Sequence, residues 1–371
     1  MKILFVDDEP LILEGLQNLL RRFRKKWAMS FAVGADEALE KLDIETFDIV
    51  ITDMRMPGLS GAELLKRVRE THPGTARIML SGYSEEETIL QALPVAHQYM
   101  SKPCDPIILQ RIIENLVSGI EHLNNPAVAQ SANRLGAPLT SAQNLSTLQE
   151  LLEHPEESGD AIQRLVASDI GLSARLLQIV SSSFFGRPQV VSDVGQAIHY
   201  LGMPMLKRLA HHPEIFNVTL PTQPDALQQF NDVTATAQHF SQHLAVLLGE
   251  GAEGGPGTTA AMLIALGPLA MVQMGEDLNP GSQLEAGLSQ FLLQLWGLPE
   301  KLTQLSDNLH HQPAGNTLEV EQAIYASRKV WLNRQSREVE LDVDYLKSLG
   351  LVAEVEEWTT RIKSRSNRDT L

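Results

Sequence analysis

Hydrophobic and polar positions along the chain follow two different rhythms. From Met1 to about His122, short apolar runs alternate with longer amphipathic stretches. The short runs are Ile3-Leu4-Phe5-Val6, Met29-Ser30-Phe31-Ala32-Val33, Ile49-Val50-Ile51, Arg77-Ile78-Met79-Leu80 and His97-Gln98-Tyr99-Met100, each of a length that suits a buried strand. The stretches between them carry apolar residues at helical spacing, as at Leu64, Leu65 and Val68. Five strands alternating with five helices predict a doubly wound, five-stranded parallel α/β sheet over residues 1–122, with functional residues at the carboxyl ends of the strands. Residues 123–134, polar and short of periodicity, read as a linker. Beyond Leu135 the spacing is helical almost throughout, as in Leu172, Leu176, Leu177, Ile179 and Val180, and predicts an all-α domain over 135–335. Within it, the glycine-rich stretch Glu250 to Gly257 reads as a flexible connection. Residues 336–371 form a helical extension whose apolar positions, Tyr345, Leu346, Leu349, Leu351 and Trp358, dock on that domain, with Ser364 to Leu371 frayed.

The remaining composition narrows the class. The chain has 371 residues, 43% hydrophobic and 20% charged, as in an ordinary globular protein. No uninterrupted apolar run approaches the ~20 residues that span a bilayer, and the first residues run into acids instead of a cleavage site, so a cytoplasmic protein with no membrane partner is expected. The single Cys104 rules out an internal disulfide framework and a multi-thiolate zinc site; beside acids, it reads as inert packing. A net charge of -16 repels phosphate backbones, so no nucleic-acid partner is expected. Between Leu209 and Ser327 the only basic side chain is Lys301. The cluster Arg21, Arg22, Arg24, Lys25 and Lys26 reads as a solvated helix end.

The acids at the strand ends carry the chemistry. Asp7 and Asp8 follow the first strand and Asp53 the third. Three carboxylates so placed need a compensating charge, and a hard divalent cation with oxygen ligands, Mg²⁺, supplies it. Lys102 and the hydroxyl of Ser81 come from neighbouring strand ends, a set suited to phosphoryl transfer onto a carboxylate. Four ordered motifs, Val6-Asp7-Asp8-Glu9-Pro10, Ile51-Thr52-Asp53-Met54-Arg55-Met56-Pro57-Gly58, Leu80-Ser81-Gly82-Tyr83 and Tyr99-Met100-Ser101-Lys102-Pro103, resemble those of the receiver domain of two-component response regulators, which has a flavodoxin-like fold. The resemblance implies that Asp53 is the phosphoacceptor, and that Asp8, Asp53 and the backbone carbonyl of Arg55 bind Mg²⁺ directly, with Asp7 acting through water. It further implies that Ser81 and Tyr99 form the switch pair, that Lys102 binds a phosphoryl oxygen, and that the Lys102-Pro103 bond is cis.

The helical domain contains His154, His199, His211, His212, His239, His243, His310 and His311. Only His239 and His243 share a helix face, and no glutamate follows His239, so surface or capped histidines are expected over metal ligands. The stretches Ala161 to Leu177, Ser183-Phe184-Phe185-Gly186, Val194 to Gly202 and Leu295-Trp296-Gly297-Leu298-Pro299 resemble the HDOD domain, a relative of the HD-superfamily phosphohydrolases. Where that superfamily has its metal-binding His-Asp pair this chain reads Ile264-Ala265-Leu266-Gly267, and an earlier ligand position falls near Val233. Hydrolysis by a metal at these positions is therefore not expected. The combined reading is a response regulator, not an enzyme. A sensor histidine kinase phosphorylates Asp53, and the HDOD half contacts an unidentified downstream signalling protein; a homodimer is left open. The alternatives are a receiver-regulated phosphodiesterase of cyclic dinucleotides and a DNA-binding transcriptional regulator. The helix after Ser84 and the helix starting near Asp105 form the expected contact between the halves.

Overall fold

The protein is described by a computed structural model, which covers the chain apart from residues 83–89, 104, 124, 183–190, 192, 219–220, 251–253, 277, 279–281, 306–307, 309–310, 316, 335–341 and 354–371, and apart from the side chains of Ser81, His122, Gln283 and residues 329–334. Tyr83, Cys104, the Ser183 to Gly186 motif, His310, Trp358, the terminal tail and most of the helix expected after Ser84 lie outside the described residues.

The N-terminal part runs β1 (Lys2–Asp7), α1 (Pro10–Leu20), β2 (Ala28–Val33), α2 (Ala35–Ile44), β3 (Ile49–Asp53), α3 (Gly61–Thr71), β4 (Ala76–Ser81), β5 (Gln98–Ser101) and α4 (Pro106–Leu123). Its five strands are parallel in the order β2-β1-β3-β4-β5, the doubly wound sheet read from the sequence. Helices cover both faces, so β1 and β3 are almost wholly buried and need no polar alternation. The remainder is helical: α5 (Pro126–Asn133), α6 (Ala142–Leu151), α7 (Pro155–Ala167), α8 (Ile170–Ser181), α9 (Val194–Ala210), α10 (Pro224–Leu248), α11 (Pro256–Ile264), α12 (Leu266–Met274), α13 (Gln283–Leu295), α14 (Glu300–Thr303), α15 (Val320–Arg334) and α16 (Val343–Ser348).

Several residues of the second motif set turn out to be architectural. Asp169 caps α8: one carboxylate oxygen accepts from Leu172 N–H at 2.9 Å, the other from Asn144 Nδ2 at 2.8 Å and Ser141 N–H at 3.2 Å. It thus ties the start of α8 to the start of α6. Asp193 caps α9 in the same way, accepting from Gln196 N–H at 2.8 Å. α8 is buried at nearly every position and forms the centre of the helical part. The stretch Pro256–Met274 is apolar and long enough to cross a membrane; it comprises α11 and α12, turns at Ala265 and is mostly buried among the other helices.

One expectation needs adjustment. The segment read as a linker contains α5, capped by the Asn125 side chain on Val128 N–H. Val128, Ala129, Ala132 and Asn133 are buried, and Asn133 Nδ2 donates to the carbonyl of Gly74 at 2.9 Å. Eight residues give too short a pattern to register as periodic, and their burial depends on partners far away in sequence. Of the glycine-rich connection, residues 251–253 lie outside the described residues; its two ends meet where the Glu250 carboxylate accepts from the Gly257 N–H at 2.9 Å, at the first turn of α11. The extension does dock: Tyr345, Leu346, Leu349 and Leu351 pack on Tyr325 and Ala326, and Tyr345 O–H donates to the Pro313 carbonyl at 2.9 Å.

Gly171, in the first turn of α8, shows how tightly this core is built. A Cβ there would stand 2.1 Å from Thr140 Oγ1 and 2.4 Å from the Leu139 carbonyl oxygen. Gly171→Ala should cost about 1–3 kcal/mol, measured as a thermal midpoint lowered by several degrees; an unchanged midpoint would show that the α6–α8 junction is loose.

Candidate functional site

The carboxyl ends of β1, β3 and β5 converge on one lysine. Lys102 Nζ lies 2.7 Å from Asp7 Oδ2 and 2.5 Å from Asp53 Oδ1. The second oxygens are also held: Asp7 Oδ1 accepts from Glu9 N–H at 3.0 Å, and Asp53 Oδ2 from Arg55 N–H at 2.9 Å. Asp7 and Asp53 are buried and Asp8 is half-buried beside them. The Lys102-Pro103 peptide is cis, as the resemblance implied. Ser81 ends β4 opposite Ser101; its side chain lies outside the described residues.

The loop after Asp53 is fixed from both ends. Met54 N–H donates to the Leu80 carbonyl at 2.9 Å and Gly61 N–H to the Met54 carbonyl at 3.0 Å. Ser60 and Glu63 form a capping box on α3. Gly61 is required by contact: a Cβ would stand 1.9 Å from the Asp53 carbonyl oxygen. The Ser-x-x-Glu spacing was available in the sequence; the glycine's role depends on the fold.

Burial pushes the pKa of Asp53 upward, more than the hydrogen bond and charge of Lys102 pull it down, and the nearby Asp7 adds to the push. For Lys102, burial works against the ammonium, but the hydrogen bonds to Asp53 and Asp7 outweigh it and hold the pKa above its ordinary value. Two carboxylates, Asp7 and Asp53, therefore share one ammonium. Among the described residues no three His, Cys, Asp or Glu side chains form a group able to hold a metal by themselves.

Tyr99, expected as the switch aromatic, is buried with its O–H donating to the Ala92 carbonyl at 2.6 Å. Burial raises its pKa. From Tyr99 a polar seam leads into the helical part. Arg175 of α8 donates to the Leu93 carbonyl and to Gln178 Oε1, and Gln178 Nε2 donates to the His97 carbonyl at 2.7 Å. Next along β5, Gln98 Nε2 donates to the Gln294 carbonyl of α13 at 2.6 Å. Gly119 of α4 lets α13 approach closely, since a Cβ would stand 2.5 Å from Gln294 Oε1 and 2.8 Å from Phe291 Cδ2. On the sheet side Arg77 is wholly buried, its Nε donating to the Val95 carbonyl at 2.8 Å and Nη1 to the Thr75 carbonyl at 3.0 Å. None of these seam residues was singled out from the sequence. The signal present was an arginine inside an otherwise apolar run, at Arg77 and again at Arg175.

In the helical part, His211 and His212 are satisfied by the Lys207 carbonyl and the Glu214 carboxylate. His154, His199, His239 and His311 are exposed. Val233, Ile264 and Ala265 are buried and close together around one cavity.

Comparison with known families agrees with the geometry. The response regulator receiver domain matches residues 3–114 and the HDOD domain residues 139–286. The chain carries a receiver domain followed by an HDOD domain. Its receiver half is similar to the response regulator protein PilR of Pseudomonas aeruginosa, 39% identical over 137 residues that make up 36% of this chain and 29% of PilR. It is also similar to the transcriptional activator protein ExaE of Pseudomonas putida, 30% identical over 36% of this chain and 62% of ExaE. For PilR, a hydrogenase transcriptional regulatory protein HoxA and YesN, the matched part spans 29%, 24% and 34% of their own lengths. Among solved structures, the signal receiver domain of an HD domain-containing protein from Pseudomonas fluorescens is 33% identical, covering 33% of this chain and 94% of that one, with a TM-score of 0.29.

The raised pKa of Asp53 has a sign that can be checked. Above its native pKa the ionised carboxylate is less favourable in the folded than in the unfolded receiver, so at pH 7 with chelator present Asp53→Asn should raise the thermal midpoint. The gain should fade as pH falls toward and below the ordinary aspartate value of about 3.9. A midpoint lowered by the substitution at pH 7 would show that attraction to Lys102 outweighs burial.

Proposed function

We propose that this receiver–HDOD protein is a response regulator that accepts a phosphoryl group on Asp53 from a sensor histidine kinase, and that its HDOD half transmits the signal by contact, without catalysis. The observation that carries the reading is the bridge from Lys102 to both Asp7 and Asp53, a buried nucleophile paired with an ammonium that can follow a transferred oxyanion. A carboxylate oxygen of Asp53 attacks phosphorus in line, the phosphorus–nitrogen bond of the phosphohistidine breaks, and an acyl phosphate forms. Lys102 moves from the carboxylate to a phosphoryl oxygen as charge shifts outward. The Arg55 N–H keeps the second Asp53 oxygen oriented, and Ser81 at the end of β4 offers its hydroxyl to the same oxyanion.

The residues fit Mg²⁺. Two buried carboxylates against one ammonium leave an excess of negative charge, and Asp8, Asp53 and the Arg55 carbonyl would be hard oxygen donors of the kind that hold this ion with several waters retained. When bound, it neutralises phosphoryl oxygens on approach to the acids.

Transmission is supported by the seam. The HDOD half meets the receiver through β5 and α4 and through the Leu93 carbonyl, next to the Tyr99 side chain. A phosphoryl group that draws Ser81 and Lys102 toward Asp53 alters the β4 and β5 ends, and so biases the hydrogen bonds that Arg175, Gln178 and Gln294 make there. A non-catalytic HDOD half is supported by Val233, Ile264 and Ala265, which supply no metal ligand where the superfamily has its own.

Asp53→Asn should abolish labelling by acetyl phosphate, and chelation of Mg²⁺ should do the same to the unaltered protein; label surviving in Asp53→Asn would move the acceptor elsewhere. With beryllofluoride, hydrogen exchange should change in residues 90–110 and beyond 135. Arg175→Met should remove the second change and leave labelling intact. Exchange confined to the Asp53 pocket in the unaltered protein would refute transmission.

A further inference from the structure

The faces that join the two halves are less completely paired than the interior of the HDOD half. In that interior, Ser289 Oγ donates to the Ile264 carbonyl and accepts from the Gly267 N–H, each at 2.7 Å. The Asp169 carboxylate takes three hydrogen bonds. Where the halves meet, three buried polar atoms find no partner among the described residues: Arg175 Nε on α8, Gln294 Oε1 on α13 and Asn133 Oδ1 at the end of α5. Each forfeits the hydrogen bond that water would give it, and a trapped water would surrender its own freedom to supply one.

A whole charge is buried there as well. Arg175 is 1% exposed, and among the described residues no carboxylate lies within ion-pair distance of it. A guanidinium held only by neutral acceptors keeps much of its desolvation cost, which separation of the halves would recover. The apolar part of the contact rests on one glycine. A Cβ on Gly119 would stand 2.5 Å from Gln294 Oε1 and 2.8 Å from Phe291 Cδ2, so α4 and α13 meet only because no side chain intervenes. The connection can hinge, because residues 134–138 lie outside helix and strand. They follow α5, which Asn133 ties to the receiver at Gly74.

The contact has a path from Asp53. Lys102 directly follows β5, and on that strand Tyr99 pins the Ala92 carbonyl through its O–H at 2.6 Å. The next carbonyl, Leu93, is the acceptor that Arg175 has on the receiver. A displacement of β5 that withdraws Tyr99 frees this turn and takes from Arg175 a bond that offsets its burial.

We propose that the docked arrangement is one of two, and that phosphorylation of Asp53 separates the halves along this seam. The chain turns at residues 134–138, and the β5–α4 face of the receiver and the α8–α13 face of the HDOD half become exposed. The proposal rests on Asp53 as the phosphoacceptor. A polar, incompletely paired contact between domains is of the kind that moves, and the phosphoryl group need only favour the separated state by its differential interactions.

Small-angle X-ray scattering of the full-length protein tests this. A compact chain of 371 residues has a radius of gyration of about 21 Å, and beryllofluoride should raise the measured radius by at least ~2 Å. Gly119→Leu, which wedges α4 from α13, should give the larger radius without beryllofluoride. Gly119→Ala, whose methyl already meets both contacts, serves if the leucine variant fails to fold. Gln294→Leu removes the orphaned acceptor and keeps the carbonyl that Gln98 uses, so it should stay compact with beryllofluoride bound. Acetyl phosphate labelling of each protein keeps the two readings apart. No label on the unaltered protein refutes Asp53 as acceptor, whereas normal labelling with an unchanged radius under beryllofluoride overturns separation. A folded Gly119 variant that remains as compact as the unaltered protein overturns it too.

Discussion

Two guanidinium groups buried where the halves meet set the terms for the rest of this structure. Arg77 and Arg175 are 0% and 1% exposed, and their hydrogen bonds run to neutral acceptors, largely main-chain carbonyls. Burial lowers the pKa of Arg77 to about 9, and the charge of Arg69 adds to this. Burial, with the charge of Arg77 beside it, also holds His97 well below the usual histidine range, so the imidazole between the arginines is neutral. Groups this costly to desolvate persist where hydrogen bonds to acceptors offset the burial, here through Nε and Nη1 of Arg77 and both Nη atoms of Arg175, whose Nε is left without a partner. Those acceptors are the carbonyls of residues 75, 93 and 95, at the ends of the elements that flank β4 and β5. The requirement fixes the backbone at the far end of the strands whose near end holds Lys102.

How much of this was legible in the sequence follows from the range of the interactions. Asp7, Asp53 and Lys102 could be placed because strand-end position follows from local apolar runs and parallel order. The cis bond before Pro103 came with the motif. The domains could be divided because the apolar period changes from short runs to helical spacing. The seam could not be read, because an arginine in an apolar run is equally consistent with an edge position. Only the packing of α8 against residues 93–98 makes Arg175 interior. Helix α5 escaped for the same reason: its eight residues are amphipathic toward two surfaces at once, which blurs any single stripe.

The retained pattern of the HDOD half divides in a similar way. Asp169, Gly171 and Asp193 keep their places as caps and close approaches, so their presence reports architecture. Val233, Ile264 and Ala265 are buried apolar positions, and the helix turn at Ile264 to Gly267 is held by Ser289. One helix, α13, has Glu285 and Ala286 on the cavity at its start and Phe291 and Gln294 on the receiver near its end. Both surfaces thus share a rigid element of thirteen residues.

Helix α5 bears on how such chains are assembled from exchangeable parts. Its last residue, Asn133, turns its side chain to the Gly74 carbonyl and its own carbonyl toward Arg77 Nη1 at 3.4 Å, so it completes a receiver whose family pattern ends about twenty residues earlier. A gene fusion that joined a foreign receiver at residue 123 would pair this HDOD half with a β4 end lacking its closing residue. A fusion at residue 134 would instead carry a helix shaped for another partner. A chimera that keeps the receiver, α5 and the arginine seam together retains these contacts, and one cut between them loses the bonds from Asn133 to Gly74 and from Arg77 to Asn133.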